Sequence, residues 1–205
     1  AGMGGIEGAT RIDGRNARAE RTRAAIVEAH LALIGEGDLR PTGERIAERA
    51  GVSLRTLWTN FKDMETLFEA SGNQVLRQQD AAYRPISTAL PLAKRVDAYC
   101  RPRARLLQLI APAARAAQMR EPVSPQLRRN RLLHIARVRA EVEQLFANEL
   151  ERAGAGREQL VNALVATSMW PTWSMLRDGL GLGVDNARSV MTRTVAALLA
   201  DPTAR

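Results

Sequence analysis

Between Ile46 and Phe61 the chain reads IAERAGVSLRTLWTNF. Two short apolar and polar segments flank a joint of small residues, Ala50, Gly51 and Ser53, where a compact core usually takes larger side chains. This joint restricts the fold more than any other stretch. Ala47 stands where one helix presses on the next, so a longer side chain there would hold the two apart. Gly51 tolerates the left-handed backbone that a tight turn needs. Val52 plugs the space beneath the turn, and Ser53 is placed to cap the following helix. The recipe is that of two short helices joined by a tight turn.

The flanking sequence supplies more helices. In RTRAAIVEAHLALIGEG, Ile26, Ala29, His30, Leu33 and Ile34 fall on one face at helical spacing, and Gly35 and Gly37 can end the helix. Thr42 is the expected N-cap of the second helix, whose inner face is Ile46, Ala47 and Ala50. The third helix carries Leu54, Leu57, Trp58 and Phe61. Asp63 is placed to cap a fourth, with Met64, Leu67, Phe68 and Val75 inward, fading near Pro85. Beyond it the spacing predicts a helix over about 89–111, bent at Pro102, and an irregular piece around Pro112, Pro122 and Pro125. A long amphipathic helix follows, stopped by Gly154. A largely apolar helix then runs over about 157–179, and a last one carries Ala187, Val190, Met191, Thr194, Val195, Leu198 and Leu199. β-branched alternation is scarce, aromatics are 4% of the chain, and no Asn-Gly or Asp-Gly hairpin signal occurs. The expected fold class is all-α.

Three short helices ending in a tight-turned pair form a helix-turn-helix unit. In such units the second helix of the pair enters the DNA major groove, whose base edges offer a full donor and acceptor code. The residues following the joint suit that task. Arg55 can pair with guanine. Thr56 and Thr59 can meet a thymine methyl or a phosphate, and Asn60 can bond adenine or a phosphate. Ser53 and Thr42 offer hydroxyls near helix N-termini. Trp58 lies on the same short helix, and Lys62 sits just past it, within reach of phosphate. The plainer alternative is a helical hairpin in which Trp58 and Phe61 are simply core.

Net charge is +8, which invites a nucleic-acid partner, but its distribution weakens that inference. From Ala1 to Lys62, ten basic residues face eight acidic ones; from Arg101 to Ala140, ten arginines face Glu121 alone. The excess lies outside the helix pair. A single cysteine, Cys100, suits a reducing compartment. The first residues hold no apolar run like a secretory leader, and no run is long enough to cross a bilayer. A cytoplasmic protein without a membrane partner is expected. His30 and His134 are far apart, and with one cysteine they make no metal-ligand pattern. No phosphate-binding glycine loop, nucleophile elbow or placed carboxylate pair occurs. Neither enzyme chemistry nor a cofactor is expected.

The run RAAIVEAHLALIGEG, followed by TGERIAERAGVSLRTLWTNFKDMETLFEA, resembles the DNA-binding domain of the TetR family of transcriptional regulators over about residues 20–70. The resemblance implies an N-terminal three-helix helix-turn-helix DNA-binding domain followed by a larger helical ligand-binding and dimerisation domain. It divides the chain into a flexible arm over 1–17, the DNA-binding domain over 18–63 and the second domain over 64–205. It also implies a repressor that binds a palindromic double-stranded DNA operator as a homodimer and is released by a small-molecule effector. Where Arg55, Trp58 and Asn60 stand, the family usually has a small residue, Tyr and His. Met64 replaces a lysine that commonly contacts phosphate, a role open to Lys62.

One short recognition helix reads few base pairs, so selectivity calls for two half-sites and a two-fold dimer. The last two helices suit a four-helix seam, with Val165, Thr172, Leu176, Val190, Thr194 and Leu198 as candidates. TSMWPTWSM is the best pointer to an effector pocket. Met169, Trp170, Trp173 and Met175 cluster around Pro171, and Leu106, Leu107, Ile110 and His134 are further candidates, with Tyr99 and Cys100 weaker ones. Plain core packing is the alternative for each. The arginines of the N-terminal arm, including Arg21 and Arg23, can reach phosphates or a minor groove. A helical interaction scaffold, or a small-molecule-binding protein without DNA function, remains the rival reading.

Overall fold

The computed structural model describes residues 5–200, with side chains from residue 11 onward, so the ends of the expected arm and second domain lie outside the described residues. Among the described residues the chain is helical, with no strand. It forms two compact units: one up to Ala81 together with Arg115–Arg128, the other Ala82–Ala114 together with the residues from Arg129 on.

In the first unit, α1 runs Gly5–Gly35 unbroken, so the arm is continuous with the first helix where it is described. Helices α2 (Gly43–Ala50), α3 (Leu54–Asn60) and α4 (Met64–Ala82) follow. Ile26, Ile46, Leu57, Phe61 and Leu67 are completely buried and tie the four together. The expected division at 63/64 falls ahead of α4, yet Leu67, Phe68 and Ser71 of α4 are buried here. Asp63 caps α4 by accepting from the Thr66 amide at 2.8 Å, and those bonds hold its carboxyl below the usual range.

The prolines do less damage than expected. α5 (Leu92–Leu109) passes through Pro102, and where an irregular piece was expected α6 runs Ala111–Arg120. Pro112 sits in the first turn of α6, where the missing N–H has no intrahelical partner to lose. The irregular piece shrinks to a 3-10 turn over Glu121–Val123, and Pro125 opens α7 (Pro125–Leu145). Glu65 holds this junction in place: its carboxylate accepts from Ser124 Oγ at 2.7 Å and from the Gln126 amide at 2.8 Å. An anion at a helix N-terminus is favourable.

The second unit corrects two expected helices. The long one stops at Leu145 and resumes as α8 (Ala147–Arg152) after Phe146. Arg95 Nη1 donates to the Leu145 carbonyl at this break, at 3.0 Å. The apolar helix over 157–179 is α9 (Arg157–Ser168), then α10 (Trp170–Ser174) and a π turn over Met175–Gly179. Met169 between them is extended, with ψ 163. Hydroxyls flank the break: Ser168 Oγ donates to the Leu164 carbonyl at 2.6 Å and Thr172 Oγ1 to the Ala166 carbonyl at 2.7 Å. α11 (Val184–Leu199) turns Ala187, Met191, Val195 and Leu199 into the core at a spacing of four.

One buried tie in this unit is ionic. Arg95 is 7% and Glu149 6% exposed, and their bidentate contacts measure 2.6 and 3.0 Å. Arg95 Nε also donates to the Leu90 carbonyl at 2.8 Å. Each guanidinium nitrogen thus has a partner, the condition under which a buried pair offsets its desolvation.

Candidate nucleic-acid interface

The joint is built by backbone. Gly51 sits at φ 71, ψ 29. Its amide donates to the Glu48 carbonyl at 3.1 Å, and the Val52 amide donates to Ala47 at 3.0 Å. These two bonds make a Schellman ending. The turn then leads directly into the Ser53 cap, where Ser53 Oγ accepts from the Thr56 amide at 3.0 Å. Thr42 caps α2 in the same way, accepting from the Arg45 amide at 3.3 Å. Leu57 is completely buried beneath α3, and burying a leucine is worth about 1.5–3 kcal/mol. That burial decides which side of α3 faces out.

Arg55, Trp58, Thr59 and Lys62 are exposed, as are Thr42 and Ser53, while Thr56 and Asn60 are half-buried. Several polar groups are tied back to their own helix. Thr59 Oγ1 donates to the Arg55 carbonyl at 2.8 Å, and Asn60 Nδ2 to Thr56 at 2.8 Å. The Thr56 hydroxyl lies 2.9 Å from Ser53 Oγ. The hydroxyls keep acceptor capacity, and the Asn60 amide keeps its oxygen and a second N–H. Trp58 leans back over the start of α2. A Cβ added at Gly43 would lie 2.7 Å from Cζ2 of its indole. Gly43 is therefore a point of close approach between α2 and α3; Ala47, the residue expected in that role, is buried at 3% exposure.

Neighbouring charge is mostly neutralised. Arg45 pairs with Asp38 at 2.8 Å, and Arg49 forms a bidentate pair with Glu36. Arg23 turns onto the far end of α3, where it donates to the Asn60 carbonyl and stacks on Phe61. Lys62 is exposed, and Met64 is half-buried against the core of this unit.

Behind α3, His30 is 3% exposed, and its Nδ1 lies 2.7 Å from Ser71 Oγ, joining α1 to α4. Burial, helped by the positive charge of Arg120, pushes its pKa down to about 4. Neither this pair nor the Glu65 junction has a local sequence pattern that would reveal it.

In the second unit, Leu107, Trp170 and Trp173 belong to the buried core, with Ile110 and Met169 packed against it. Leu106 and His134 are half-buried, and Met175 is 59% exposed. Trp173 Nε1 donates to Gln108 Oε1 at 3.3 Å. Tyr99, at 1% exposure, donates to Ser168 Oγ at 2.6 Å. Burial pushes its phenol up to about 12, the Cys100 thiol up to about 11, and the His134 imidazole down. Of the seam candidates, Leu176 is buried, Val165, Thr172 and Leu198 are half-buried, and Val190 and Thr194 are exposed. Among the described residues no helix is long and apolar enough to cross a membrane, and no cluster of three or more His, Cys, Asp or Glu could hold a metal.

No protein-family model matches the chain, and no curated protein does. The fold is that of a transcriptional regulator from Rhodococcus sp. Rha1 whose crystal structure is known. The two are 17% identical, with a TM-score of 0.64 over 88% of this chain and 95% of that one.

Proposed function

We propose that this chain is a TetR-like transcriptional regulator: a cytoplasmic repressor that binds a palindromic duplex operator as a homodimer and is released by a small-molecule effector. One observation carries the reading. α3 follows a Schellman turn, is anchored from below by Leu57, and presents Arg55 and Thr59 outward, with exposed Lys62 just past its end. A helix offered in this way fits the major groove. Arg55 supplies the fork that guanine O6 and N7 accept. The capped starts of α2 and α3, at Thr42 and Ser53, face phosphates, and Lys62 adds a cation past the other end of α3. Trp58 offers its exposed edge while its ring supports α3.

Two copies double the sequence that is read. Val190 and Thr194 on the outward side of α11 lead the proposed seam, with half-buried Val165, Thr172 and Leu198 and, beneath them in the core, Leu176. The effector enters near Trp170 and Trp173, bounded by Leu106, Leu107, Ile110, His134, Met169 and Met175. It releases DNA by binding the released state more tightly than the bound one. α4 follows α3 after three residues and is held to α1 through His30 and Ser71, so a shift of α4 re-aims α3.

Selecting bound fragments from random duplex DNA tests the reading. The expected product is a two-fold-symmetric site with half-sites about one helical turn apart. Small molecules are then screened for release. Failure to enrich any sequence at low salt rejects the regulator; an asymmetric single site rejects the dimer.

A further inference from the structure

We propose that Arg23 is the positioning residue of the reading helix: from α1 it clamps the C-terminal end of α3 and fixes the angle at which Arg55 and Thr59 are presented, without touching DNA itself. The proposal rests on the reading of α3 as the DNA-contacting element.

α3 has seven residues, whereas isolated helices are marginal below about 12–15 residues even with favourable sequences. Its direction must come from outside. The N-terminal end has the Ser53 cap. The C-terminal end lacks the usual devices: no glycine follows, no basic residue lies in the last turn, and Phe61 leaves in an extended conformation at φ −128, ψ 123. The last carbonyls of a helix need outside donors.

Arg23 answers that need. Its Nη1 donates to the carbonyl of Asn60, the final residue of α3, from 37 positions away in sequence. The same guanidinium lies 4.3 Å from the centroid of the Phe61 ring, and Phe61 is completely buried. One planar group therefore grips the backbone at the end of α3 and rests on the first side chain after it. Its positive charge also complements the negative end of the helix. A lysine has the charge but not the flat fork that can donate and stack together. Used in this way, the guanidinium turns toward α3 rather than outward.

The test measures Arg23→Gln and Arg23→Lys against the unaltered chain, on the selected duplex and on an unrelated duplex of equal length, over a salt series. Both variants are expected to lose about tenfold in affinity for the selected duplex, the effect of one charge-assisted hydrogen bond. Binding to the unrelated duplex should change by about twofold or less, and the slope of log affinity against log salt should stay the same, because no phosphate contact is lost. In the free protein, amide exchange at Asn60 and Phe61 should quicken about tenfold in both.

A salt slope reduced by about one for each protomer in Arg23→Gln and restored in Arg23→Lys would make Arg23 a phosphate contact and overturn the clamp. Unchanged selectivity would overturn it too. If the unaltered chain itself fails to discriminate between duplexes, the DNA reading falls. The exchange rates then judge the clamp separately: faster amides uphold it, and unaltered amides reject it.

Discussion

At Gly43 a single missing methyl group sets how closely two helices meet. The Cβ of an alanine there would lie 2.7 Å from Trp58 Cζ2 and 3.3 Å from Leu54 Cδ1. An indole cannot bend, so it either turns about its side-chain bonds away from α2 or pushes α3 aside. Gly43→Ala should destabilise the first unit by about 1–3 kcal/mol, the usual effect of overpacking, and weaken duplex binding. Chemical unfolding and a titration check both; no change in either would mean that Trp58 does not support α3. The sequence made Trp58 legible as a residue of the reading helix but hid its support. Gly43 carries no side chain to form a pattern. Arg23 was hidden differently: among the arginines of one exposed helix, nothing local separates the one that turns back.

At the scale of elements, the turn between α2 and α3 was readable in full, because each of its parts is local. Gly51, Val52 and Ser53 act within five residues of their partners. Gly51 has open space around its missing Cβ, so substitution there tests backbone strain alone. Gly51→Ala should lose about 1–2 kcal/mol, while Gly51→Asn should lose less, since asparagine tolerates the left-handed region. Denaturant midpoints for the two variants check the order; equal losses would contradict it. The chain beyond α4 was less legible, since proline position decides more than proline presence. Pro112 and Pro125 fall in first turns and start helices where breaks were expected. In the sequence the outward and inward sides of α11 form one stripe, because apolar residues recur at spacings of both three and four. Only burial separates Met191 and Val195 from Val190 and Thr194.

Across the whole molecule, buried charge and buried histidine make each unit sensitive to acid in its own range. In the first unit, the folded pKa of His30 is about 4 against an ordinary 6.5. The unfolded chain therefore takes up a proton between those values that the folded chain refuses. Stability should be full above pH 6.5 and decline by about 3 kcal/mol as pH falls toward 4. Hydrogen exchange in α1 and α4 reads this unit alone, and His30→Leu should flatten the slope. In the second unit, the Arg95 hydrogen bonds hold the Glu149 carboxyl below its ordinary 4.5. Its contribution is complete above that value and is lost as pH falls below it. Glu149→Gln leaves Arg95 buried without its anion and should destabilise this unit by about 3–5 kcal/mol at neutral pH. A loss under 1 kcal/mol would show the pair to be dispensable. Both ties link residues more than forty positions apart, which explains why no sequence pattern displayed them.

The role given to α3 is tested most directly by measuring Arg55→Ala and Lys62→Ala against a panel of duplexes, each carrying one base-pair change in the selected site. Arg55→Ala should lose about 1–3 kcal/mol on that site and stop discriminating at one position in each half-site. Lys62→Ala should weaken every duplex alike and lower the salt slope by about one for each protomer. If both variants bind the entire panel as the unaltered chain does, α3 is not the surface that meets DNA.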